Sequence, residues 1–160
     1  MPQSSQPLNP AAALRTLRLL HMAMTGSVLL YGLLAAIMLS VDVIPKGGFV
    51  GDFPGLYPLR TALWVMAAGC FVGIRAIRER VLTPEALRSR ATPVTQSILT
   101  WHVVMFALAD GVAVMGLLLF LLRVLIVDFL TLGGLALLTL LWLHPSEEDY
   151  HSLVREAGRS

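Results

Sequence analysis

The sequence predicts an all-α fold, an integral membrane bundle of four transmembrane helices followed by a short cytoplasmic C-terminal helix. Of its 160 residues, 56% are hydrophobic and only 14% are charged, whereas a soluble domain carries about 25% charged residues. The mean hydropathy is +0.75. The apolar residues form continuous stretches instead of alternating, and a helix satisfies its own main-chain hydrogen bonds in lipid. We therefore expect the lipid bilayer to be a partner of this chain and to surround its helices.

Charges and turn residues divide the chain into three regions. We predict a cytoplasmic N-terminal segment at 1–16, a transmembrane domain at 17–144 and a cytoplasmic tail at 145–160. The predicted spans cover about 17–41, 59–77, 98–122 and 124–143. The fourth stops before Pro145, which cannot continue a helix without losing a hydrogen bond. Only 61–74 of the second span is free of charged residues, which is shorter than the about 20 residues that a span needs, so Arg60 and Arg75 should extend outward at its ends.

The distribution of lysine and arginine predicts the orientation of the spans. Nine of these residues fall on one side of the predicted membrane: Arg15, Arg18, Arg75, Arg78, Arg80, Arg88, Arg90, Arg155 and Arg159. Three fall on the other side: Lys46, Arg60 and Arg123. Because cytoplasmic loops carry the excess of positive charge, both termini and the 78–92 loop should be cytoplasmic.

Composition argues against several classes of function. The net charge of +2 is small, and no basic run alternates with aromatic residues, so nucleic acid is not an expected partner. Cys70 is the single cysteine, which excludes an internal disulfide and a cysteine metal cluster. The sequence contains no nucleophile–base–acid set and no phosphate-binding glycine loop. It does not favour an enzyme, and no cofactor is predicted.

Asp110 is the residue that most needs an explanation. It lies near the middle of the third span, with no other charged residue between Arg90 and Arg123. A charged side chain at mid-bilayer costs on the order of 2.5–3.5 kcal/mol. Ser27 and Tyr31 are the closest polar groups in depth on the first span. Two interpretations follow: the carboxyl is protonated or hydrogen-bonded to one of them and fixes helix packing, or it carries protons.

Small residues accompany Asp110 on its own span and on its neighbours. Such residues let helices approach closely in a membrane. The predicted helix-packing positions are Gly69, Gly73, Ala109, Ala113, Gly116, Gly133 and Gly134.

Two histidines suggest a further chemistry. His21 on the first span and His102 on the third lie about one turn inside the cytoplasmic boundary. Two histidines on different helices at one depth are the axial ligands that a b-type haem requires. The other interpretation is two interfacial histidines beside Arg18 and Trp101, at the depth where amphipathic rings settle.

The stretch 107–117, which reads ALADGVAVMGL, resembles the carboxylate helix of the proton-translocating c subunits of rotary ATP synthases. The preceding span, with Gly69 and Gly73, and the arginine-rich loop complete the resemblance to the hairpin of that family. It implies that Asp110 matches the proton-carrying carboxylate. The glycine-rich run of the family's inner helix and its R-Q-P loop are not found in this sequence.

The chain as a whole is similar to small, uncharacterised four-helix proteins of the bacterial inner membrane. The similarity is carried by 20–26, by 59–63, by the Asp110–Gly111 pair and by 144–148. It implies an inner-membrane location and no particular activity.

The function that we predict is an accessory or structural subunit, with other membrane subunits or a second copy as partners. Proton translocation and haem-based electron transfer remain the alternatives.

Overall fold

A computed structural model describes residues 10–41, 43–45, 48–50, 54–89 and 92–158. Every regular element in those residues is helical, which confirms the all-α prediction. The elements are α1 (Pro10–Ser40), α2 (Leu56–Ala76) with its continuation as a π-helical turn (Ile77–Val81), α3 (Pro84–Arg88), α4 (Val94–Arg123), α5 (Ile126–Trp142) and α6 (Glu147–Gly158).

Three helical segments are long and apolar enough to cross a membrane: Ala11–Ser40, Leu56–Val81 and Val94–Arg123. The fourth apolar helix, α5, has 17 residues. At 1.5 Å per residue it measures about 25 Å, against a hydrocarbon core of about 30 Å. The membrane class is therefore confirmed, with three helices of spanning length among the described residues. Lys46, Arg90 and Arg159, which entered the prediction of orientation, lie outside those residues.

Helix α4 is the centre of the fold, and α1, α2 and α5 each pack against it. Helices α1 and α4 run in the same direction. His21 contacts Phe106 in their first halves, and Ala35 packs with Phe120 in their second halves. Ten α4 residues are buried, from Ser97 to Phe120, so this helix supplies much of the core.

Helices α2 and α5 run in the direction opposite to α4. The start of α2 meets the start of α5 where Arg60 pairs with Asp128, and the end of α2 meets the end of α5 where Arg78 lies over Trp142. The four long helices thus alternate in direction along the chain.

The loop before α2 closes the C-terminal end of α4. The N–H groups of Phe49 and Val50 donate to the carbonyls of Leu121 and Leu122 at 3.2 and 3.3 Å, which are groups that a helix end leaves without partners. Gly48 has a φ of +81°, and a Cβ there would clash with the Leu122 carbonyl oxygen. Glycine is required at this position for both reasons.

The turn between α4 and α5 reverses the chain within two residues. Val124 has a φ of 54°, a left-handed conformation that is strained for a β-branched residue. Its N–H donates to the carbonyl of Phe120 at 2.6 Å, which closes the last turn of α4. The sharp reversal places α5 directly against α4.

The C-terminal helix α6 packs against α3 and α4. Tyr150 is its buried anchor, and the exposed pair of Arg18 and Glu147, 3.1 Å apart, links its start to α1. The apolar face of α6, formed by Tyr150, Leu153 and Val154, therefore packs against the protein, at the same end of the molecule as the 77–88 segment.

Candidate functional site

Asp110 contacts the two α1 hydroxyls that the sequence suggested for it. Ser27 Oγ lies 2.6 Å from Asp110 Oδ1, and the Tyr31 hydroxyl donates to Asp110 Oδ2 at 3.4 Å. The first distance is that of a strong O–H···O bond and the second is long. Ser27 and Tyr31 are four residues apart, so they lie on the same face of α1. The structure thus brings these three residues together at the α1–α4 interface.

Ser27 connects the carboxyl group to the backbone of α1. Its Oγ also lies 2.7 Å from the carbonyl oxygen of Met24. A serine hydroxyl has one proton to donate, so Ser27 cannot donate to both acceptors at once. If it donates to Met24, it accepts a bond from a protonated Asp110. If it donates to Asp110, the carboxyl oxygen Oδ1 is the acceptor and carries no proton.

The Asp110 carboxyl group lies at the edge of the interface. Asp110 is half-buried, and two small residues are exposed nearby in sequence: Ala107, one turn before it on α4, and Gly26, next to Ser27 on α1. Space is open around Gly26 and Gly111. The small residues therefore leave one side of the carboxyl group close to the outer surface of the protein.

Three of the predicted packing residues lie on the buried face of α4. Ala109 and Ala113 are fully buried. A Cβ at Gly116 would lie 3.1 Å from Leu132 Cβ and 3.3 Å from the Phe129 carbonyl oxygen. Glycine therefore permits the close approach of α4 and α5 at this point.

The other predicted glycines do not mediate close contacts within the chain. A Cβ at Gly73 would meet only the Leu108 side chain, at an ordinary 3.6 Å, and space is open around Gly69, Gly133 and Gly134. The reason is how α2 and α5 are rotated about their own axes. Gly69 lies on the exposed face of α2, and the buried face of α5 is formed by other residues: Asp128, Phe129, Leu132, Ala136 and Leu140.

A second polar cluster, which the sequence analysis did not identify, joins α2 to α5. Asp128 is buried, with a side chain 4% exposed, and its Oδ1 lies 2.9 Å from Arg60 Nη2. The indole N–H of Trp64 donates to the same oxygen at 2.9 Å. Asp128 is also in the first turn of α5, where the helix dipole favours negative charge. Three separate features thus stabilise this carboxylate.

The expectation that Arg60 simply extends outward is corrected by this pair, because its guanidinium turns toward α5. The signal was available in the sequence: Asp128 is an acid inside the predicted 124–143 span. Arg60 and Trp64 are one turn apart and share a face of α2. Matching this acid to the base near the start of the second span requires the further knowledge that α2 and α5 are neighbours.

The two histidines each use a ring N–H on a backbone carbonyl. His21 Nε2 lies 2.8 Å from the Leu140 oxygen, and His102 Nδ1 lies 2.9 Å from the Ile98 oxygen. Both rings pack edge-on against Phe106. His102 lines a cavity that His21 does not, so the pair does not face one pocket and this geometry does not favour a haem. No group of three or more metal-ligating side chains occurs among the described residues.

A scan against protein-family models and searches of curated proteins and solved structures found no match to this chain. The resemblances noted in the sequence therefore remain predictions, and the function proposed below depends on the geometry of this chain's own residues.

Proposed function

We propose that this chain is a four-span protein of the bacterial inner membrane, with both termini in the cytoplasm. We further propose that it is an accessory or structural subunit in which Asp110 fixes the position of α1 against α4. The observation that carries this proposal is the pairing of one α4 carboxyl group with two α1 hydroxyls, Ser27 and Tyr31.

The energetics favour a positional role for this cluster. Interhelical hydrogen bonds in membranes contribute about 0.6 kcal/mol on average and at most about 1.7. An unpartnered carboxyl group in lipid costs more, on the order of 2.5–3.5 kcal/mol if charged. A rotation or slip of α1 would separate Asp110 from Ser27. The cluster therefore acts mainly by penalising every other arrangement of the two helices.

The fourth crossing, by α5, is supported by packing and by surface chemistry. Helix α5 packs along α4 and also against α1, so it belongs to the same four-helix bundle. Its outer face carries large exposed apolar side chains: Val127, Leu130, Leu138, Leu141 and Trp142. The charge of Asp128 near its start is compensated by Arg60. A bilayer would cover this apolar surface.

Orientation is testable by cysteine labelling. In a Cys70→Ser background, Val50→Cys should react with an impermeant maleimide added to the periplasmic side, and Arg88→Cys should react only after the membrane is opened. Both side chains are exposed. Labelling of Arg88→Cys but not Val50→Cys from the periplasm would invert the proposed topology.

The subunit role is testable by purification in a mild detergent. An accessory subunit should elute in a larger complex, with a second protein or with further copies of itself. A monomer of 17.4 kDa in every mild detergent and at every expression level would contradict this role.

Proton translocation is the second candidate, and the shared Ser27 hydroxyl supports it. By rotating, the Ser27 hydroxyl can either accept a hydrogen bond from a protonated Asp110 or donate one to its carboxylate, so it can bond to both forms of a proton carrier, and the carboxyl group lies near the outer surface. The Asp110→Asn variant distinguishes the two functions, because it preserves the size of the side chain and its capacity for hydrogen bonding. A structural subunit keeps its fold and assembly. A proton carrier loses its proton flux in liposomes while remaining folded.

A further inference from the structure

Two adjoining cavities occupy the end of the molecule where the π-helical turn after α2 meets the end of α5. The first has a volume of about 340 Å³. The second has a volume of about 630 Å³ and lies between α2 and α5. Arg78 and Trp142 line both cavities, so this pair forms their common wall.

The guanidinium of Arg78 stacks on the ring of Trp142. Its Cζ lies 3.9 Å from the centroid of the Trp142 ring, within the range of a cation–π interaction. The carboxylates next in the chain and at the start of α6 have other partners: Glu79 pairs with Arg75 at 2.8 Å, and Glu147 pairs with Arg18. Arg78 therefore presents a positive charge to both cavities.

The two cavities differ in chemistry. The first is polar on one side, where His102, His144 and Tyr150 line it, and its described lining includes no Asp or Glu. The second is bounded by Phe71 and Ile74 along its length, with the Arg75–Glu79 pair at its end. A compartment for an anionic group thus continues into a groove for an apolar chain.

The depth of the site matches the boundary of a membrane. Trp142 is the last residue of α5 and Arg78 lies just beyond α2. Tryptophan and arginine settle at the level of lipid headgroups. Basic pockets between helices at this level bind anionic headgroups, and π-helical turns occur frequently at functional sites.

We propose that this site binds an anionic glycerophospholipid. The headgroup phosphate pairs with Arg78 in the first cavity, and one acyl chain lies between α2 and α5 in the second. The site is separate from Asp110, and it depends only on the part of the proposed function that places the helices in a membrane.

The test is native mass spectrometry of the delipidated protein titrated with lipid. Phosphatidylglycerol should bind at least about fivefold more tightly than phosphatidylcholine, which is the effect of one arginine at an anionic surface. Arg78→Gln should abolish this preference. Arg80→Gln is the matched control, since it removes the same charge from an exposed position that lines neither cavity.

Two further measurements on folded protein do not need an Arg78 variant. Soluble glycerol phosphate should bind far more weakly than phosphatidylglycerol, because it lacks the acyl chain. Thr139→Trp, which fills the groove, should weaken phosphatidylglycerol binding by several fold. Equal binding of the two lipids, equal loss in Arg78→Gln and Arg80→Gln, or tight binding of glycerol phosphate would each overturn the proposal.

Discussion

Removal of Arg60 should destabilise the α2–α5 contact more than removal of any surface arginine. Arg60→Leu leaves the Asp128 carboxylate buried, with only the Trp64 indole N–H and the dipole of α5 to compensate its charge. A buried charge that loses its partner costs far more than the pair contributes as a whole. The perturbation therefore tests whether this pair stabilises the fold or is an incidental surface contact.

The magnitude follows from the exposure of the two partners. The Asp128 side chain is 4% exposed and the Arg60 side chain is 43% exposed. Breaking a fully buried pair costs about 3–5 kcal/mol, and an exposed pair is worth about 0–1 kcal/mol. With one partner buried and one half-exposed, we expect a loss of about 2–3 kcal/mol in the free energy of unfolding.

The assay is reversible unfolding in detergent followed by circular dichroism, for each single variant and for Arg60→Leu/Asp128→Leu. The double variant should recover most of the loss, because it leaves no unpaired charge. Arg75→Leu is the control. Its partner Glu79 is exposed, so the change should stay within about 0.5 kcal/mol. Additive losses in the double variant would refute the reasoning.

The remaining predictions concern backbone conformation and helix packing, and the same unfolding assay measures them. Gly116→Ala should lose about 1–3 kcal/mol, because its Cβ would press on Leu132, whereas Gly133→Ala, with open space around it, should gain about 0.5–1 kcal/mol. Gly48→Ala should lose more than about 1 kcal/mol, because alanine would be strained at positive φ and would also clash with the end of α4. Val124→Gly should gain about 1 kcal/mol by relieving a left-handed valine; a loss there would show that the turn is not strained.

The class of fold was predictable because it depends on composition along the chain. Continuous apolar stretches dictate helices in lipid, and three of them have the length of a span. The partners of Asp110 were accessible to sequence reasoning for a similar reason. When the depths of two helices are known, only a few polar groups lie at the level of one carboxyl group. Ser27 and Tyr31 satisfied that restriction.

The rotation of each helix about its axis was not predictable, because it depends on tertiary packing. Helix α4 is apolar almost all round, so its sequence does not show which face meets α5. Gly116 and Gly133 are the same type of residue, but a Cβ would be crowded at Gly116 and would meet open space at Gly133. The Arg60–Asp128 pair required knowledge that α2 and α5 are neighbours, which no local pattern contains. The cavity beside Arg78 depends on the docking of α6 as well.

The central claim is that the Asp110 carboxyl group and the Ser27 hydroxyl hold α1 against α4. A double-mutant cycle with Ser27→Ala and Asp110→Ala tests it most directly. Ser40 provides the matched control on the same helix, since its hydroxyl is exposed and bonds to the carbonyl of Ile37. A cycle between Ser40→Ala and Asp110→Ala should be additive within about 0.3–0.5 kcal/mol.

The free energies of unfolding of the four proteins in the Ser27–Asp110 cycle give the coupling. The structure predicts a favourable coupling of about 0.6–1.7 kcal/mol, between the average and the largest value measured for interhelical hydrogen bonds in membranes, and a short 2.6 Å bond places it in the upper half of that interval. A coupling no larger than that of the Ser40 control would contradict the claim, because it would mean that the carboxyl group does not hold the two helices together.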